Sequence, residues 1–284
     1  MPTPLMQRWE LVANKCEAWE KSGRVVEEHT EDEHRYRDTL HDILYDESAT
    51  RVINITNTEG YAQKNARTII AQIKSEYKNY TDETVEEILL RAFHVSPDKL
   101  DAGATGTEFH RLADLWCRYI ISEIRAQHNP FPTLSLTVKE FAHQNVPHKF
   151  GTPLLDLRVS SALHAFEAWR EEMSIVPIAT EIPLIVGRFG TAGKIDLLCY
   201  RQGVLTLVDY KTGVLKKAHW LQQVVYYWGL RECLQITPKQ IVLWQPSMKN
   251  TKYKEEKVAP IKSILPILRD VVKAHQSLTT LQNL

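Results

Sequence analysis

Gly193-Lys194-Ile195-Asp196, then Leu197-Leu198-Cys199-Tyr200, Arg201-Gln202-Gly203, and Val204-Leu205-Thr206-Leu207-Val208-Asp209-Tyr210-Lys211-Thr212-Gly213 form the stretch whose reading decides the fold. Two runs rich in apolar and β-forming residues flank a Gln-Gly dipeptide, which is a hairpin signal. A two-residue turn at Gln202-Gly203 pairs positions whose numbers sum to 405, so Asp196 faces Asp209. Residues opposite each other in this way have Cβ atoms about 4.5–5.5 Å apart, and like charges there are destabilising unless a cation lies between them. Asp209 and Lys211 are two apart on a strand and share a face. A solvated hairpin with a routine surface ion pair would satisfy D-x-K alone. Val204, Leu205, Leu207 and Val208 instead mark a buried strand, where ionic residues require compensation. A hard divalent cation with oxygen ligands, together with Lys211, supplies it.

Working outward, 176–186 reads as a further strand, 217–234 as a helix, 240–244 as a short apolar strand, and the chain closes on a helix after Pro260. Upstream, Phe109, Leu112, Ala113, Trp116 and Ile120 fall on one stripe of a helix over 107–127, after the glycines at 103 and 106. A proline-rich connection over 128–156 carries one short helix near 138–143, and a helix over 157–173 buries Val159, Leu163, Phe166 and Trp169. Strands and helices in this order predict an α/β (α+β) fold, a mixed central sheet flanked by helices. Residues 1–100 read as mainly helical, with helix-like spacing over 60–79 and 82–93 and no defensible chemistry. They are expected to form a cap, a lid or a partner surface beside a core over 101–284.

The 284 residues carry 35 basic and 35 acidic side chains, a net charge of zero, which excludes a polybasic nucleic-acid coat. The zero is a balance of halves: residues 1–100 hold 13 Lys+Arg against 19 Asp+Glu, net −6, and residues 101–284 hold 22 against 16, net +6. Lys216, Lys217 and His219 directly follow the D-x-K strand. Lys249, Lys252, Lys254 and Lys257, with Tyr253 among them as a candidate stacking residue, form a second basic cluster. No run of 18 apolar residues occurs, so no membrane span is expected, and residues 1–20 lack the pattern of a secretory leader. Four widely spaced cysteines without C-x-x-C fit a reducing compartment, the cytoplasm of a bacterial or phage-infected cell.

The ordered set His110, Glu181, Gly193-Lys194-Ile195-Asp196, Asp209-Tyr210-Lys211-Thr212-Gly213 and Gln223-Val224-Val225-Tyr226-Tyr227 resembles the RecB-like branch of PD-(D/E)xK nucleases. In style it looks most like the phage and mitochondrial genome maintenance exonuclease-type members. The resemblance spans about residues 103–245. It implies a restriction-endonuclease-like core and a Mg²⁺- or Mn²⁺-dependent deoxyribonuclease with one or two ions. By the same resemblance, Asp196 and Asp209 bind metal, the Tyr210 carbonyl adds a ligand, and Lys211 is the motif lysine. His110 assists the metal, and Glu181 supports metal or lysine positioning. Gln223 and Tyr227 match the Q-x-x-x-Y helix that contacts nucleic acid, although Gln222 and Tyr226 satisfy the same spacing. The cysteines lack the spacing of the branch's iron–sulfur members, so no cluster is expected. The resemblance favours an exonuclease on DNA ends or single strands, leaving 5′-phosphates. The alternatives are a structure-selective or sequence-specific endonuclease, and a non-catalytic assembly protein that uses the acidic N-terminal region for a protein partner.

Overall fold

The structure, a computed structural model, describes residues 2–29, 34–45, 48–49, 52–53, 97–145, 153–213, 215–247, 252–258 and 260–282. Two sheets and six helices are described. A mixed sheet has the order β4-β5-β6-β7-β8, where β4 is Ile175–Val186, β5 Thr191–Arg201, β6 Val204–Tyr210, β7 Gln240–Pro246 and β8 Tyr253–Lys257. The β5–β6 hairpin has the anticipated register, from Arg201 opposite Val204 to Leu197 opposite Val208. Gln202 (φ 49°) and Gly203 (φ 76°) both take positive φ, as a type I′ turn requires, and its twist matches that of the flanking strands. The β6–β7 pair is parallel, and such a pair needs a crossover connection. Helix α5 (Lys217–Leu234) provides it.

Helices α2 (Pro97–Gln127), α3 (Val138–Asn145) and α4 (Pro153–Glu172) pack on one another and on the sheet. Their contact with it is aromatic: Phe109, Phe166, Tyr210 and Trp244 interlock with ring centroids 5.4–5.9 Å apart. Helix α5 packs on the sheet with α6 (Ile261–Gln282) beside it. No helix among the described residues is long and apolar enough to cross a membrane.

Helix α2 begins earlier than the glycines suggested and runs through Gly106. A Cβ at Gly106 would come within 2.7 Å of Thr212 Oγ1, so glycine there permits close approach between α2 and the segment after Lys211.

The described part of the N-terminal hundred adds a small sheet to its helix. Helix α1 (Pro4–Lys21) is followed by an antiparallel meander of β1 (Val25–His29), β2 (His34–Asp38) and β3 (Ile43–Tyr45). Acid-rich strands with little apolar alternation carry no period-2 signal, and what holds this meander is tertiary: Tyr36 packs on Ile185 and Ala192. Asp38 closes β2 by accepting hydrogen bonds from the Leu40 and His41 N–H groups, and it pairs with the Arg24 and His41 side chains. Helix α1 shares the main core through Met6, Trp9, Val12, Ala13 and Cys16. Its indoles reach the sheet, Trp9 donating to the Pro177 carbonyl at 2.7 Å and Trp19 to that of Pro183 at 2.9 Å. The helices anticipated over 60–79 and 82–93 lie outside the described residues.

Candidate metal centre and active site

The β5–β6 ladder ends at Leu197–Val208, and Asp196 and Asp209 occupy the next register step at the open end of the hairpin. The Tyr210 N–H donates to Asp196 Oδ2 at 2.7 Å, so a side chain takes this backbone donor. On β4, Glu181 lies between the Thr180–Leu197 and Ile182–Ile195 pairs, which sets it across from Asp196. Its φ of 53° is left-handed in mid-strand, a conformation costing an L-residue roughly 1–2 kcal/mol. Strain of this kind persists where surroundings enforce it, and it concentrates at functional sites. Here the neighbouring Thr180 hydroxyl donates to the Asp114 carboxylate on α2, anchoring the kink. One turn before Asp114, His110 brings Nδ1 to 3.5 Å from Asp196 Oδ1. Ligand atoms of His110, Glu181 and Asp196 all lie within 4.8 Å of one another.

Asp209 stands just behind this trio, 2% exposed, with Lys211 Nζ 2.5 Å from its Oδ2. Burial, with Asp196 adding repulsion, pushes the Asp209 carboxyl up to about 6 despite Lys211. Burial also works against charge on Asp196, yet His110, Lys211 and the Tyr210 N–H together hold its pKa below the ordinary carboxylate value. His110 is the reciprocal case: burial disfavours the imidazolium, and Asp196 outweighs it and raises the pKa. Glu181 is raised, first by burial and then by Asp196, against the pull of Lys194. Three carboxylates thus converge in a space that only partly compensates their charge. Imidazole nitrogen and carboxylate oxygens within one coordination sphere are donors suited to a divalent cation, so the residues present fit such an ion.

The structure brings together His110, Glu181, Asp196, Asp209 and Lys211. Tyr210 joins them through its N–H, while its ring packs among Phe109, Phe166 and Trp244. The two Q-x-x-x-Y pairs have different surroundings. Gln222, not Gln223, donates to a tyrosine, its Nε2 lying 3.0 Å from the Tyr226 hydroxyl. Tyr226 feels the charges of Asp209 and Asp196, and its Cε1 would lie 2.6 Å from a Cβ at Gly193. Gln223 is fully buried without a hydrogen-bond partner for its amide, and Tyr227 packs against Trp228 and beneath Arg231. Two adjacent Gln-x-x-x-Tyr pairs point 100° apart around a helix, and spacing alone does not choose between them.

Lys216 is exposed at the N-cap of α5, its N–H donating to His219 Nδ1, and Lys217 begins that helix. His219 is held down at about 4 by burial and by Lys211 and Lys216. In the second basic cluster, Lys249 lies outside the described residues. Tyr253 is not a free stacking platform, because its hydroxyl donates to Glu172 and its ring stacks on Trp244. Cys16, Cys117 and Cys199 are buried packing groups on α1, α2 and β5, and Cys233 on α5 donates to the Ile185 carbonyl. Sequence reasoning gave no role to Lys194 or Thr212 and held Gln222 and Tyr226 only as the alternative pair. The close approaches at Gly106 and Gly193 were the signals that could have found Thr212 and Tyr226.

No curated protein matches the chain. A family model described as the PD-(D/E)XK nuclease superfamily matches residues 77–282, taking in every candidate ligand from His110 to Lys211. The match covers more than half of the chain and the mixed sheet agrees with it, so the chain belongs to the PD-(D/E)XK nuclease superfamily, whose members use divalent metal ions.

Proposed function

We propose that the protein is a Mg²⁺- or Mn²⁺-dependent deoxyribonuclease, an exonuclease acting on DNA ends or single strands during replication, recombination or repair. One observation carries the reading: His110, Glu181 and Asp196 share a single coordination sphere, with Asp209 and its partner Lys211 directly behind. A bound divalent cation there supplies Lewis acidity toward a phosphoryl oxygen and lowers the pKa of water. Asp196 and Asp209 would hold the ion together with His110, and Glu181 would complete or orient the set. Lys211, kept charged by Asp209 and Asp196, holds the attacking water and offsets charge developing on the phosphate. Gln222 and Tyr226 order the wall of the site, and Lys216 and Lys217 at the start of α5 meet backbone phosphates. Preference for ends rests on the resemblance to exonuclease-type members, and a cytoplasmic setting on the widely spaced cysteines without C-x-x-C.

End-labelled single- and double-stranded DNA and RNA, incubated with Mg²⁺, Mn²⁺ or EDTA, test this. Metal-dependent release of 5′-phosphorylated products from linear DNA, with circular single-stranded DNA left intact, is the expected result. Cleavage of the circle makes the protein an endonuclease, and cleavage in EDTA overturns the metal centre.

A further inference from the structure

Lys194 sits between two carboxylates that are far apart in the sequence. Its Nζ is 2.9 Å from Glu181 Oε2 on one side. On the other it lies 3.4 and 3.3 Å from Oε1 and Oε2 of Glu27, on strand β1 of the N-terminal meander. Glu181 needs such a partner. Its backbone is fixed by the left-handed kink and by the Thr180–Asp114 hydrogen bond, but its carboxylate faces that of Asp196 and is repelled by it. Lys194 shares a face of β5 with Asp196, so it can pull Glu181 along the strand without blocking the space between the carboxylates. Glu27 in turn faces Lys194 across from Glu181, and Tyr36, packed on Ile185 and Ala192, fixes the meander that carries Glu27.

We propose that Glu27 and Lys194 are positioning residues for the metal centre, so that the N-terminal meander completes the active site by steering Glu181 toward the ion. This rests on the reading of His110, Glu181 and Asp196 as a metal site. It assigns β1 a function that the D-x-K motif does not contain. Partners of metal-ligating carboxylates commonly change metal affinity or activity by about 10–100-fold when removed.

The test uses the full chain and Mn²⁺ alone as probe, with free Mn²⁺ read by electron paramagnetic resonance in the absence of DNA. Glu27→Gln and Lys194→Met should each weaken Mn²⁺ binding by about 10-fold and lower kcat with little change in KM for DNA. Lys194→Arg, which still spans both carboxylates, should recover most of the affinity. The direction in Lys194→Met is decisive. A lysine acting merely as a nearby positive charge would repel the ion, so its removal would tighten binding, and tighter or unchanged binding overturns the proposal. Should Glu27→Gln unfold the meander, judged by its urea midpoint, Glu27→Asp keeps the charge and should bind Mn²⁺ better than Glu27→Gln. Equal affinities in those two variants count against the proposal. Asp196→Asn is the control: loss of Mn²⁺ binding there upholds the metal site whatever Glu27 does, and wild-type binding there refutes the site itself.

Discussion

Gly106→Ala should be destabilising in this protein although it replaces glycine by the best helix former in the interior of α2. Helix propensity alone favours the change by about 1 kcal/mol. Against this, the new methyl would lie 2.7 Å from Thr212 Oγ1, while the next Thr212 atoms stay at 3.8 and 3.9 Å. The conflict is therefore with one hydroxyl. Displacing a packed group costs about 1–3 kcal/mol, so the net change is expected between neutral and about 2 kcal/mol unfavourable. Removing the hydroxyl with Thr212→Ala removes the obstacle, and Gly106→Ala in that background should stabilise by about 1 kcal/mol. Urea unfolding of the wild type, both single variants and the double variant gives a coupling energy of about 1–3 kcal/mol in this cycle. Activity adds a second readout, because Thr212 follows Lys211 and His110 lies four residues beyond Gly106. Gly106→Ala should lower kcat, and Thr212→Ala should restore part of it. If Gly106→Ala stabilises wild type and Thr212→Ala equally, the close seating of α2 against the D-x-K strand is refuted.

Asp38 is held near 2 although burial alone would raise it, because His41, Arg24 and the Leu40 N–H stabilise the carboxylate. A depressed acid stabilises the fold above its unfolded value and loses that contribution as pH falls through the folded one. Asp38→Asn should therefore cost about 2 kcal/mol at pH 7, with the gap to wild type closing between pH 4 and pH 2 in urea titrations. Asp209 is the opposite case. Its carboxyl, raised to about 6, contributes fully below the unfolded value and loses that contribution as pH rises through 6. Asp209→Asn should flatten this decline in EDTA, seen as a smaller fall of Tm from pH 4 to 7, while reducing cleavage by about 10³-fold or more. Glu181→Gly should be about 1 kcal/mol more stable than Glu181→Ala, because only glycine takes the left-handed backbone without cost. Equal urea midpoints for the two would refute the kink.

The hairpin and its consequences were legible because each depends on local rules. The Gln202-Gly203 turn fixes the register, the register fixes the Asp196–Asp209 juxtaposition, and the two-residue spacing brings Lys211 to Asp209. Helices α2 and α4 were legible from their apolar stripes. What escaped was set by tertiary contact. Strands β1 to β3 are rich in charge and mostly half-buried, and their docking depends on Tyr36 finding Ile185 and Ala192. The glycine at 106 resembled a helix boundary and is a point of close approach. Glu181 takes a left-handed backbone angle that no strand pattern displays. The choice between Gln222–Tyr226 and Gln223–Tyr227 required knowing which face of α5 looks toward Gly193.

Strand β4 borders the main sheet, and an unpaired border is an invitation for another chain to add a strand. This border is closed twice. Pro177 and Pro183 have no N–H to offer an intruder, and the carbonyls of the same two residues are occupied by the indoles of Trp9 and Trp19. Helix α1 thus covers this border as well as forming a piece of the core. A chain beginning at residue 23 should self-associate more than the intact chain in analytical ultracentrifugation, and equal association of the two would refute this role for α1.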